Sequence, residues 1–202
     1  KNTFIGRKAG QSNTTGQYNT FLGHKAGHTS STGEKNTAVG TSSMYYQTGG
    51  NNNTAVGYNS LLNCSTGHTN VAIGEDAGLN VTTSYYSVMI GAHAGDNVTT
   101  APSQTLVGHQ AGDAITTGSG NTCLGRGAGA DMQTNANSMC LGQDSEASSN
   151  SVDNEITLGN AYIVTLRCND TSISSLSDRR DKTDIVDLPA GLDFINTLQP
   201  RR

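Results

Sequence analysis

A glycine returns every 17 residues along this chain: Gly6, Gly23, Gly40, Gly57, Gly74, Gly91, Gly108, Gly125, Gly142 and Gly159. The nine intervals are equal, with no residue inserted or lost. Such a register marks one structural unit stacked on copies of itself, each burying its apolar surface against its neighbours. A 17-residue unit is too short for a helix pair or a propeller blade and suits one coil of a β-solenoid. Coils that hydrogen-bond as strands stack about 4.8 Å apart, so ten would build a rod on the order of 45 Å long.

Other columns keep the same register. The residue before each glycine is aliphatic, from Ile5, Leu22 and Val39 to Leu124, Leu141 and Leu158. Three residues after it stands Ala or Ser, as in Ala9, Ala26, Ser43 and Ala77. Four before it Asn is usual: Asn2, Asn19, Asn36, Asn53, Asn70 and Asn121. A strand such as Asn-Thr-Phe-Ile-Gly accounts for these columns. The aliphatic column is expected to be the interior stripe, the glycine a corner closed to a Cβ or needing positive φ, and the Asn column an amide ladder. Two residues before the glycine runs a second apolar column, including Phe4, Phe21, Ala38, Met89, Leu106, Cys123 and Cys140. Strand alternation puts the two columns on opposite faces. One face forms the coil's own core, and the other needs a cover, which self-association around a fibre axis would supply.

Composition excludes several classes. The chain has 202 residues, 25 glycines, 14% charged residues and a net charge of −4. Low charge with plentiful Thr and Val is not a disordered composition. A mildly acidic chain offers no field that attracts nucleic acid or anionic lipid, and no apolar run is long enough to span a membrane. Lys1 begins inside a repeat, so the sequence reads as part of something longer.

With these residues laid out, NVAIGEDAG (70–78), NTAVG (36–40 and 53–57) and NTCLGRGAG (121–129) resemble the head repeats of YadA-type trimeric adhesins. Similar repeats occur in phage tail fibres. The resemblance covers residues 1–159 and implies parallel β-rolls assembled as trimers, although the adhesin turn is usually shorter. The expected architecture is therefore all-β: a parallel β-solenoid of ten 17-residue coils, trimeric, with a short α-containing C-terminal segment.

The C-terminal part differs in kind. Residues 1–176 hold 18 charged side chains, whereas the 26 residues of 177–202 hold ten. Residues 160–176 read as a neck, with AYIVTLRC (161–168) as strand and SISSLS (172–177) as linker. Leu188, Leu192, Ile195 and Leu198 make one helical stripe that Pro200 ends. The segment SDRRDKTDI (177–185) resembles the start of the intramolecular chaperone domain of phage tail fibres and spikes, the S74 peptidase family. That resemblance implies a domain that trimerises, sets the register of the fibre and cuts itself off. Ser177 would be the nucleophile and Lys182 its base, since a desolvated lysine can lose its proton and activate a hydroxyl. No external substrate, cofactor or metal is expected.

The remaining constellations read as structural. Cys123 and Cys140 share a column one coil apart, within disulfide reach, and also continue an apolar ladder, which favours packing. His24, His28, His68, His93 and His109 lack metal-ligand spacing and are expected to face solvent. No column is acidic, as calcium-binding repeats require, and Glu75 with Asp76 does not make a glycosidase pair. Tyr45-Tyr46 and Tyr85-Tyr86 break the repeat as candidate sugar-stacking groups.

The leading expectation is a structural, host-attachment segment of a viral, phage-type tail fibre, on the virion exterior. Its partners would be two further copies of itself, the rest of the tail, and a host surface glycan or protein. The alternatives are the head of a bacterial trimeric surface adhesin and an ice-binding solenoid, the latter suggested by the column of Thr15, Thr32, Thr66, Thr83, Thr100, Thr117 and Thr134.

Overall fold

The computed structural model describes residues 1–167. Ten three-residue strands follow one another: β1 (Thr3–Ile5), β2 (Thr20–Leu22), β3 (Thr37–Val39), β4 (Thr54–Val56), β5 (Val71–Ile73), β6 (Val88–Ile90), β7 (Thr105–Val107), β8 (Thr122–Leu124), β9 (Met139–Leu141) and β10 (Ile156–Leu158). They form one sheet in the order β1 to β10, and every neighbouring pair is parallel. Each residue pairs with the one 17 positions on, for example Thr37 with Thr54, Ala38 with Ala55 and Val39 with Val56. The fold is a β-solenoid of about nine turns, the intervals between ten strands. The chain divides into two units, Lys1–Val164 and Thr165–Arg202, and the solenoid lies in the first.

The three-residue strand shows which apolar column is core, and it is the reverse of the sequence expectation. The middle residue points inward: Phe21, Ala38, Ala55, Ala72, Met89, Leu106 and Cys123 are all fully buried. The aliphatic residue beside the glycine points out, with Ile5, Leu22, Ile73, Ile90, Leu124 and Leu158 exposed. Alternation required opposite faces; the width of the coil decides between them. The interior is filled by three columns, and their volumes compensate within some turns and between adjacent ones elsewhere, as where Leu61 and Met89 reach over Gly78 in the turn of Ala72. Where the strand supplies Phe21, the residue six further on is Gly27; where it supplies Ala38 or Ala55, that residue is Met44 or Leu61. A Cβ on Gly27 would stand 2.5 Å from Cδ2 of Phe21. The third interior column, Val81, Val98, Ile115 and Met132, is also fully buried. Close packing of this kind leaves no room for a branched aliphatic row as well.

The corner glycines answer to two constraints. Gly74 has φ +136°, and a Cβ there would lie 2.6 Å from the carbonyl carbon and oxygen of Gly91 in the next turn. The small column beyond the corner is buried as expected, Ala26, Ser43, Ala77 and Ala94 among its members. The Asn column forms a ladder, though its bonds run mainly to backbone. Asn19 Oδ1 accepts from the Asn36 backbone N–H at 2.9 Å, and Asn19 Nδ2 donates to the Gly33 carbonyl at 2.7 Å. Asn36 and Asn53 repeat both bonds one turn on. Each buried amide thus satisfies two backbone groups that no strand ladder reaches.

Among the described residues no strand follows β10, so Ala161–Arg167 does not pair as the sequence reading expected. Tyr162, Val164 and Leu166 are exposed there. The helical stripe from Leu188 to Leu198 lies outside the described residues.

Candidate functional site

Two outward features of the solenoid are candidates for function, and both arise from strand alternation. The first is the outer face of the sheet. Side chains at the first and third strand positions share this face, so Thr and Val alternate across it with the aliphatic row. Ile5 is 58% exposed, Leu22 44%, Leu124 51% and Leu158 53%. Parallel in-register pairing sets these side chains one above another at about 4.8 Å, making a continuous apolar stripe. An apolar stripe of this length is a candidate interaction surface.

The second feature is aromatic. Tyr45 stacks on His28 with ring centroids 4.7 Å apart, and Tyr46 meets Tyr45 edge-on at 4.5 Å. Lys25 Nζ lies 5.6 Å from the Tyr45 ring centre. Burial and the nearby cations Lys8 and Lys25 push the His28 imidazole below its ordinary range, so it stacks on the phenol uncharged near neutral pH. A similar arrangement joins His68, Tyr85 and Tyr86, with His68 and Tyr85 stacked at 5.1 Å and Tyr86 edge-on to both. Tyr46 is 51% exposed and Tyr86 61%. The two clusters occupy different columns, so they do not form one aromatic ladder.

Other residues singled out in the sequence fall into place around these features. Cys123 pairs with Cys140 across β8 and β9, and both are free, buried thiols. Met132 Sδ sits 3.9 Å from Cys123 Sγ and 3.7 Å from Cys140 Sγ. Burial pushes the thiols up to about 12 for Cys123 and about 11 for Cys140, which makes them unreactive packing groups. Of the five histidines His109 is exposed and the others are half-buried, with His28 and His68 stacked on tyrosine. His93 lies between two carboxylates, with Nδ1 3.9 Å from Asp76 and 3.4 Å from Asp96. Among the described residues no three His, Cys, Asp or Glu side chains gather as a metal ion would require. Among those same residues no helix is long and apolar enough to cross a membrane. Ser177 and Lys182, the expected self-cleavage pair, lie outside the described residues.

One feature escaped sequence reasoning. Eight residues after each of the first seven corner glycines, Gly6 to Gly108, stands a hydroxyl that donates to the carbonyl of the equivalent residue one turn on, as in Ser65 to Thr82, Thr82 to Thr99, and Thr99 to Thr116. The signal was present as a Ser/Thr column flanking the buried column at the next position.

No family model, curated protein or solved structure matches this chain. What fold and surface define is a class: a parallel β-solenoid with an apolar stripe along its sheet.

Proposed function

We propose that the chain is a structural, host-attachment segment of a viral tail fibre, assembled as a homotrimer through the apolar stripe. The aliphatic row from Ile5 to Leu158, six of its ten members exposed and the other four half-buried, is the observation that carries this reading. Two further copies cover it in a way that ten stacked strands of identical register permit, since every turn offers the same contact. The resemblance of 177–185 to the start of a self-cleaving chaperone domain supports a fibre over a bacterial surface adhesin. In that role the segment aids trimerisation and then leaves: Ser177 Oγ attacks a peptide carbonyl at or beside itself while Lys182 takes the hydroxyl proton, the C–N bond breaks as that proton passes to the departing amine, and water hydrolyses the resulting ester.

Light scattering and intact mass on the full chain test both parts. The expected assembly holds three chains of 20.9 kDa each before any cleavage. Ile73→Asp combined with Ile90→Asp is expected to run as one chain with an unchanged circular dichroism spectrum. A wild type that stays at one chain at micromolar concentration overturns the stripe as an interface. A shortened product in the wild type but not in Ser177→Ala supports self-cleavage; identical masses remove it, and with it the preference for a fibre over an adhesin.

A further inference from the structure

The Ser/Thr row described above faces a second row across an open trough of about 840 Å³, lined by Asn63, Ser65, Asn80, Thr82, Asn97 and Thr99 among others. The two rows flank the buried column of Cys64, Val81 and Val98, so alternation aims both outward. Their hydrogen-bonding capacities differ. Each hydroxyl on one side has spent its proton on the next turn's carbonyl and offers the solvent only lone pairs. The amides opposite keep donors. Asn63 Nδ2 gives one of its two hydrogens to Asn80 Oδ1, and Asn97 Nδ2 gives one of its two to the Asp113 carbonyl. An acceptor row thus runs parallel to a row with free N–H groups, repeating about every 4.8 Å.

At the head of the amide row, one turn before Asn63, stands Tyr46. Its backbone N–H is tied to the Leu62 carbonyl, and its ring is braced edge-on by Tyr45, itself held against His28. An exposed aromatic fixed in this way presents a ready stacking surface at little cost in rotamer entropy.

We propose that this trough, headed by Tyr46, is a docking track for an extended, neutral polysaccharide. A vicinal diol can donate to the hydroxyl row and accept from the amide row, and successive pyranose units advance by close to one turn. An anionic polymer fits poorly. It would set acceptors against the acceptor row, and no charged side chain lines the trough, while Asp96 and Asp113 stand in the adjoining column. The proposal deepens the host-attachment reading and rests on it.

The test uses the full chain against arrayed linear hexamers of β-1,4-linked glucose, β-1,4-linked N-acetylglucosamine and, as an anionic probe, galacturonic acid. Wild type is expected to retain a neutral hexamer. Tyr46→Ala weakens that binding roughly tenfold, Asn80→Arg blocks it, and Tyr58→Ala, an exposed tyrosine in a different column, leaves it unchanged, all with wild-type melting temperatures. Equal binding by wild type and both trough variants overturns the trough and leaves glycan attachment elsewhere on the rod. Binding of none of the hexamers, or of galacturonate alone, overturns the proposal; the trimer and its stripe are judged separately, by mass.

Discussion

At the scale of single residues, the repeat separates glycines that the fold requires from glycines it merely accepts. Gly74 combines positive φ with a neighbouring carbonyl inside the space of a Cβ. The obstacle is backbone of the next turn and cannot rotate away. Gly49 has neither constraint, since the nearest atom to its Cβ position is Thr32 Oγ1 at 3.4 Å. Gly74→Ala is therefore expected to cost about 3 kcal/mol or more, from strain and overpacking together. Gly49→Ala should lie between neutral and about 1 kcal/mol stabilising, because it reduces the freedom of the unfolded chain. Urea unfolding of the two variants measures the contrast, and equal losses would disprove it. The corner glycines were legible from sequence because backbone constraints admit one residue type. The other left-handed positions were not, because Lys8, Asp76, His93 and Tyr86 occupy them with φ between 53° and 63°, and neighbouring turns tolerate what single residues disfavour.

Within one turn, legibility depends on how much a three-residue strand can say. Period, parallel register and the Asn ladder were all readable, since they follow from a repeat that never slips. The direction of the core was not, because both strand columns are apolar and alternation assigns faces without naming them. The usable signal is the inverse relation between Phe21 and Gly27, or Ala55 and Leu61, which an enclosed interior imposes; at Ala72 and Gly78 both are small, and Leu61 and Met89 of the adjacent turns fill the space. That relation predicts a double-mutant cycle. Ala55→Phe alone overfills its layer and should cost about 1–3 kcal/mol. Adding Leu61→Gly rebuilds the Phe21–Gly27 arrangement, and Leu61 already sits at φ 50°, which glycine adopts freely. A coupling of about 0.5–3 kcal/mol in the direction of rescue is expected from thermal unfolding. Additive losses would show that the two columns do not share a layer. The candidate surfaces were half legible for the same reason: the tyrosine pairs stand out as departures from the repeat, whereas the stripe and the trough need the inward column to be known first.

Over the whole rod, stability is close to a sum of turns and of contacts between adjacent turns. Removing one complete turn should shorten the molecule without disturbing the rest. Deletion of residues 57–73 joins Val56 to Gly74 and preserves the 17-residue spacing. It also sets Ala55 where Ala72 stood, against Gly78 and Val81, so the layer at the junction is chemically unchanged. The expected result is a folded, parallel-sheet protein whose melting temperature falls by roughly 2–8 °C, matching a loss of about 1–2 kcal/mol. Deletion of residues 57–64 removes about half a turn and brings Ser65 to follow Val56, where a corner glycine is required. Strand β4 keeps β3 but loses β5 as a partner in phase, and the stack divides into two short pieces that melt separately. Differential scanning calorimetry distinguishes one transition from two. If both deletions behave alike, the turns do not act as interchangeable units. The tolerance of a whole-turn loss would also be the hazard of the trimer proposed above, because copies aligned one turn out of register would still form nearly all their contacts.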